Sequence, residues 1–440
     1  MNRYSTYKDS GIEWIGDIPK EWRLKKLKYI SRVNSLSLSE TTNEDYEFNY
    51  IDIGNVNIEK GFNLGEKIRF ETAPSRARRI VKKGNTIVST VRTYLKAIAY
   101  IGDDVEDVIV STGFAVINPN KEIEPKFLYY LLRSEKFIDR ICALSVGVSY
   151  PAINSSELSS IVAWFPNKDD QNKISAYLDR KSESIEKLIV KKERMIELLK
   201  EERTAIINQA VTKGLNPEVK MKESGIEWLD KIPKHWEIKK LKFNTYVRFS
   251  NVDKKSEEGE IAVRLCNYVD VYYNDFITLN LEFMTATASI EEIRKFQLNI
   301  GDVIVTKDSE SWDDIAIPAY VLETENKLIC GYHLAQIRSD SRVLNGKFLF
   351  WMLSGNSFNY QFKIEATGIT RYGLSNYGLS NSLIVLPPVE EQDEIGKYLE
   401  QKTKQLAGQI EREQKSIELL KEYRTSLISE VVTGKIDVRN

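Results

Sequence analysis

Few side chains in this chain could carry out covalent or metal chemistry, and they are not arranged for it. Only two histidines occur, His235 and His333, and neither lies near a serine or cysteine in a G-x-S-x-G setting. Cys142, Cys266 and Cys330 are scattered, with no C-x-x-C, so neither a zinc site of ordinary spacing nor a disulfide framework is expected. No Walker A sequence and no G-x-G-x-x-G occurs, which removes a phosphate cradle and a dinucleotide loop. The acidic run Lys307-Asp308-Ser309-Glu310 after an apolar stretch is the one cluster a nuclease could use for a metal. Binding chemistry is better represented. Between Thr72 and Gly102 there is no acid, while Arg76, Arg78, Arg79, Lys82, Lys83, Arg92 and Lys96 are all basic. A run of one sign suits a polyanion. The alternative is a basic loop neutralised by Asp103, Asp104, Glu106 and Asp107, which follow directly.

The elements that must position these residues occur twice. Tyr7–Tyr29 (YKDSGIEWIGDIPKEWRLKKLKY) is matched by Met221–Phe243 (MKESGIEWLDKIPKHWEIKKLKF), at an offset of 214 residues. Phe165–Thr212 is matched by Leu386–Thr433 at an offset of 221, so the second middle is seven residues longer. The middles diverge but keep a frame: GNTIVST at Gly84 with GDVIVTK at Gly301, STGFAVI at Ser111 with ICGYHLAQI at Ile329, and FLYYLLRS at Phe127 with FLFWMLSG at Phe348. On this frame His235 faces Glu21, His333 faces Ala115, and the acidic run faces Thr90, Val91, Arg92 and Thr93. Chemistry confined to one copy argues for two binding modules with different targets.

Each middle reads as a compact α+β domain. Strand-like runs bounded by Gly, Asn and Pro are FNYIDIGNVNI, NTIVSTV and SSIVAWF in the first copy and EIAVRLCNYVDV, DVIVT and NSLIVLP in the second. KFLYYLLRSEKFIDRICAL and KFLFWMLSGNSFNYQFKI have helical spacing. Trp22 and Trp236, each following Ile-Pro by two residues, read as packing anchors. The closing blocks are long helices of roughly 60 Å. Their seams run Leu178, Ser182, Ile185, Ile189, Lys192, Ile196, Leu199, Arg203, Ile206, Ala210 and Leu399, Thr403, Leu406, Ile410, Glu413, Ile417, Leu420, Arg424, Leu427, Val431. A single apolar stripe of that length needs a partner helix; the other copy in an antiparallel pair is the economical arrangement, and the alternative is that each seam packs on another protein or on another copy of itself.

At 440 residues and a formal charge of −1, the composition allows two or three domains and does not itself announce nucleic acid. With no 18-residue apolar stretch and no apolar core in MNRYSTYKDSG, the expected location is the cytoplasm.

SGIEWIGDIPKEWRLKKLKY, GDVIVTK, TGITRYGLS before SLIVLPPVEEQ, and the PP-EEQ entry into a long helix resemble the specificity subunits of type I restriction-modification systems. The resemblance spans nearly the whole chain. It implies an α+β protein in which two pseudo-symmetric α/β target recognition domains, residues 1–165 and 216–385, are separated by two long antiparallel coiled-coil helices, 166–215 and 386–440. It also implies a non-catalytic chain in which each domain reads one half of a split asymmetric DNA target. The helix seams, Leu178, Ile185, Ile189, Ile196, Leu199, Leu399, Leu406, Ile410, Ile417 and Leu420, would form the spacer on which two methyltransferase subunits dock, with restriction subunits attached indirectly. S-adenosylmethionine, ATP and Mg would belong to those partners, with no cofactor and no metal in this chain. By position, the DNA-facing candidates are Arg92, Thr93, Tyr94, Lys96, Ser149 and Tyr150 in the first domain, together with Arg76, Arg78 and Arg79 of the basic run. In the second they are Lys307, Asp308, Ser309, Trp312, Arg371 and Tyr372. PNKDDQ departs from the fuller PPVEEQ of the second copy and leaves the start of the first helix open. The competing reading is a coiled-coil adaptor with two variable protein-binding heads.

Overall fold

The computed structural model describes residues 2–59, 61–102 and 105–439, so Asp103 and Asp104 lie outside the described residues. The chain forms two compact units, Met1–Glu193 with Gln414–Asn440, and Arg194–Glu413. Each takes one half of both long helices, Lys168–Lys213 and Val389–Val432.

In the first unit a four-stranded sheet has the order Ile98–Tyr100, Thr86–Ser89, Phe114–Pro119, Ser31–Val33. A second sheet runs Lys67–Arg69, Glu47–Ile51, Val108–Ser111, Ala77–Ile80, with Val108–Ser111 parallel to Glu47–Ile51. The second unit repeats this plan. Thr245–Phe249, Leu334–Ser339, Val303–Thr306 and Pro318–Val321 correspond to the first sheet in reverse order, with Phe276–Ile277 added at the edge. Met284–Ala288, Ile261–Cys266 and Leu328–Cys330 form the other sheet, again with one parallel pair. Successive residues on these strands face opposite sides, and in the fully buried Val303–Thr306 both sides are covered, Val303 and Val305 in one core and Ile304 in another.

Two sequence expectations are corrected. NYVDV in the second middle is not strand but the short helix Tyr268–Tyr272, whose first turn closes when the Asp270 carboxylate accepts from the Asn267 N–H at 2.7 Å. The helical stretches after Lys126 and Lys347 are each two helices, Pro125–Leu132 with Glu135–Leu144 and Gly346–Ser354 with Asn356–Glu365. The break falls at Ser134 in one and Gly355 in the other, both extended, where the Ser134 hydroxyl donates back to the Leu131 carbonyl.

Trp22 and Trp236 are buried anchors, packed edge-on against Phe127 and Phe348. In the first unit Ile174 and Leu178, early in the first long helix, share a core with Leu427, Ile428 and Val431, late in the second. The buried Arg424 reaches Glu186 at 2.8 Å in the same unit. In the second unit Ile207, Ala210 and Val211 pack with Ile395 and Leu399. Both units therefore pair the helices antiparallel. Of the seam positions, Ile185, Ile189, Ile196, Leu199, Leu406 and Ile417 are buried, and Ile410 and Leu420 are half-buried.

Both helices begin at equivalent residues, Lys168 and Val389, which settles the start that PNKDDQ left open. Asn167 caps the first by accepting from the Asp170 N–H at 3.0 Å, a role its counterpart Pro388 cannot take. Just inside, a buried glutamine ties the helix to its domain in each unit. Gln171 donates to the carbonyls of Pro166 and Glu122 and accepts from the Glu124 N–H; Gln392 does the same with Pro387, Val343 and Asn345.

Candidate nucleic-acid interface

One scaffold is built twice and carries different side chains. After Thr86–Ser89 the chain turns into a loop that bridges a second loop, Val91 with Ala152 and Val146 with Ala152. After Val303–Thr306 the same bridges recur, Asp308 with Gly373 and Thr367 with Gly373. The Ile153 N–H donates to the Thr90 carbonyl and the Leu374 N–H to the Lys307 carbonyl, each at 2.9 Å. Gly147 and Gly368 occupy matching turns with φ of 118° and 150°. A Cβ there would lie 3.2 Å from the Tyr150 carbonyl oxygen and 1.9 Å from that of Arg371. Gly368→Ala is therefore expected to displace Arg371 far more than Gly147→Ala displaces Tyr150, read as altered hydrogen exchange confined to each loop.

Strand register also moves one correspondence. Val88 pairs with Ala115 and Val305 with Ala335, while the Thr90 and Lys307 N–H groups bond the carbonyls of Gly113 and His333. His333 thus stands opposite Gly113, not Ala115. The unequal lengths of STGFAVI and ICGYHLAQI hid this two-residue shift.

In the first unit the loops bring together Arg92, Tyr94, Lys96, Ser149 and Tyr150, all on the surface. The Arg92 guanidinium lies 4.7 Å over the Tyr150 ring. Arg92 and Lys96 both have positive φ, 50° and 52°, so the short helical turn between them is held in a sparsely populated backbone. Thr93 does not reach the surface; it is buried, with its hydroxyl 2.9 Å from that of Ser145. Of the basic run, Arg76 bonds Asp52 at 2.6 Å and the Tyr50 hydroxyl at 3.2 Å, and its carbonyl accepts from Thr112 beside Gly113. Arg78 lies over the Phe70 ring, and Arg79 is half-buried on the same strand, Ala77–Ile80. Asp107, of the acids offered as neutralising partners, accepts from the Tyr46 hydroxyl.

In the second unit the corresponding tip opens onto a cavity of about 510 Å³ lined by Tyr268, Tyr272, Tyr273, Asp308, Glu310, Asp314, Thr370 and Arg371 among others. His333 Nδ1 lies 2.7 Å from Asp308 Oδ2 and 3.1 Å from the Arg371 guanidinium. Tyr268 and Tyr272 stack at 5.4 Å, and the bond from the Tyr272 hydroxyl to Asp314 pushes that phenol up to about 12. Lys307 is drawn over the Tyr332 and Phe249 rings, whereas Trp312 is half-exposed and Tyr372 is partly buried in its strand. Ser309 is buried, its hydroxyl accepting from the Ser311 N–H. Sequence reasoning missed the three tyrosines, Asp314 and His333. The density of YVDVYY after Asn267 was a usable signal, masked by reading that segment as a strand.

Among the described residues no group of three or more His, Cys, Asp or Glu could hold a metal ion, and no helix is long and apolar enough to cross a membrane. Buried Cys266 and Cys330, partners on adjacent strands, have thiols pushed well up by desolvation and belong to the core.

Over 443 residues, 96% of this chain and 95% of the relative, the chain is 26% identical to the MjaIX type I restriction enzyme specificity subunit of Methanocaldococcus jannaschii. Over 65% of this chain and 60% of the relative it is 22% identical to the EcoKI type I restriction enzyme specificity subunit of Escherichia coli K12. Two solved structures share the fold. A chain from work on complex assembly and conformational transition of the type I R-M system has a TM-score of 0.75 at 21% identity, covering 95% of this chain and 99% of that one. The HsdS subunit of Thermoanaerobacter tengcongensis has a TM-score of 0.56 at 22% identity, covering 95% and 98%. The family model for the type I restriction modification DNA specificity domain matches residues 19–197 and again 235–419, one copy in each half of the duplication, and by that double match over most of its length the chain belongs to this family.

Proposed function

We propose that this chain is the DNA-recognition subunit of a type I restriction-modification complex. Residues 1–165 and 216–385 act as target recognition domains, each reading one half of a split asymmetric duplex target. The two long helices space the domains and dock two modification subunits, with a restriction subunit joined through them. S-adenosylmethionine, ATP and Mg belong to those partners, and this chain contributes recognition alone. The observation that carries the reading is the paired loop scaffold, identical in its backbone bridges and unlike at its tips: Arg92 over Tyr150 in one unit, Arg371 beside His333 and Asp308 in the other. Backbone held constant with side chains varied is what base-edge readout requires.

Mapping methylated adenines in cells that carry this chain with its modification subunits tests the proposal directly. A split asymmetric motif is the expected result; scattered or absent methylation would sink it. Affinity for target duplex should also fall steeply as salt rises. An adaptor with protein-binding heads would show no such fall.

Arg92→Ala is expected to cost about 1–3 kcal/mol of DNA affinity with no loss of melting temperature. Its guanidinium is held by a ring and has no carboxylate partner among the described residues, so the fold loses little when it goes. Competition binding together with thermal melts checks both halves of the statement.

A further inference from the structure

In the second unit the loop tip places a cation and an anion on one imidazole. His333 Nδ1 lies 2.7 Å from Asp308 Oδ2 and 3.1 Å from the Arg371 guanidinium, and Arg371 and Asp308 both line the 510 Å³ cavity. The equivalent positions in the first unit are Gly113, Val91 and Tyr150, yet the same backbone bridges form there. The charged trio is therefore not needed to build the loops.

A phosphate is a poor occupant for this cavity. Asp308, Glu310 and Asp314 all line it against the single arginine, and nearby Lys307 is engaged over the Tyr332 and Phe249 rings. Carboxylates repel a phosphate and accept from an amino group, while a guanidinium offers two parallel donors to the O6 and N7 of guanine. In the major groove the 4-amino group of cytosine and the O6 of its paired guanine lie side by side. A carboxylate and a guanidinium held by one imidazole present the complementary pattern.

Resting on the DNA-recognition reading above, we propose that Arg371 and Asp308 together read one G·C base pair, the guanidinium on guanine and the carboxylate on the cytosine amino group. His333 acts as the positioning residue: its Nδ1–H donates to Asp308 and its Nε2, 3.5 Å from the Arg371 guanidinium, accepts from it, so both side chains are fixed before DNA arrives, which lowers the ordering cost of the contact. The half-site read by residues 194–413 then contains one fixed G·C pair.

The test is selection from randomised duplexes by the complex of the full chain with its modification subunits, comparing wild type, Arg371→Ala, Asp308→Ala and His333→Ala. Wild type is expected to require G·C at one position. Arg371→Ala and Asp308→Ala should both relax that same position about ten- to a hundred-fold, leaving the other half-site unchanged. His333→Ala should relax it less, with the G·C preference still detectable. Relaxation at two different positions would overturn the proposal, as would a fixed A·T at the shared position. So would a uniform loss of affinity with the salt slope reduced by about one, the mark of a phosphate contact. Should wild type select no sequence at all, the DNA-recognition reading itself fails and this proposal with it.

Discussion

Exchanging residues 245–381 for the corresponding segment of another family member should replace one half of the target sequence and leave the other half as it was. The junctions are chosen on the fold. Strand Glu237–Lys240 pairs with Leu383–Leu386, and the Leu241 N–H donates to the Ser382 carbonyl, so both cuts fall just inside a scaffold that the first unit repeats in Arg23–Lys26 and Val162–Phe165. Everything that differs at the tip, from the Tyr268–Tyr272 helix to Arg371, travels with the insert. Each mismatched base pair costs about 1–3 kcal/mol, so a half-site altered at three positions loses about 3–9 kcal/mol on the original target, enough to abolish it. Methylated-base mapping of the chimera should return the first unit's half joined to the donor's half. Change in both halves, or in neither, would mean the units do not read independently.

The duplication was readable because its ends do work that tolerates little change. Trp22 and Trp236 fill the same buried position, and the seam residues repeat every three and four positions because one helical stripe must face a partner. The middles were legible only as strands and helices. Two short helices read as one, since amphipathic spacing continues across Ser134 and Gly355 and only the extended backbone there reveals the break. Candidate contacts on the loops were found by position, but which of them face outward was not. Thr93 is buried with its hydroxyl on that of Ser145, 52 residues away, and Ser309 with its hydroxyl closing a local turn to the Ser311 N–H, and neither arrangement is separable in sequence from surface display. His333 could not be placed with Asp308 and Arg371 from sequence, because 25 and 38 residues separate them and the strand register that unites them was misaligned by two.

Gln392→Leu should destabilise the second unit by about 3–5 kcal/mol, and Gln171→Leu the first by a similar amount. Leucine nearly matches glutamine in volume, so no large cavity opens and the cost is one of hydrogen bonding. Gln392 is fully buried, donating to the carbonyls of Pro387 and Val343 at 2.9 Å and accepting from the Asn345 N–H at 2.8 Å. Each buried group left without a partner costs about 1–3 kcal/mol, and an apolar replacement orphans three at once. The amide is well suited to this place because it both donates twice and accepts; Gln392→Glu keeps only the acceptor and turns a carboxylate toward two carbonyl oxygens, so it should be at least as damaging. Since each glutamine joins a long helix to its own domain, the damage should stay local. Hydrogen exchange should quicken in Val303–Thr306 for Gln392→Leu and in Thr86–Ser89 for Gln171→Leu, with the other unit's strand still protected. Loss of less than 1 kcal/mol, measured from the protected strand amides, would show that water or backbone relaxation satisfies these groups and that the glutamine is not what fixes each helix to its domain.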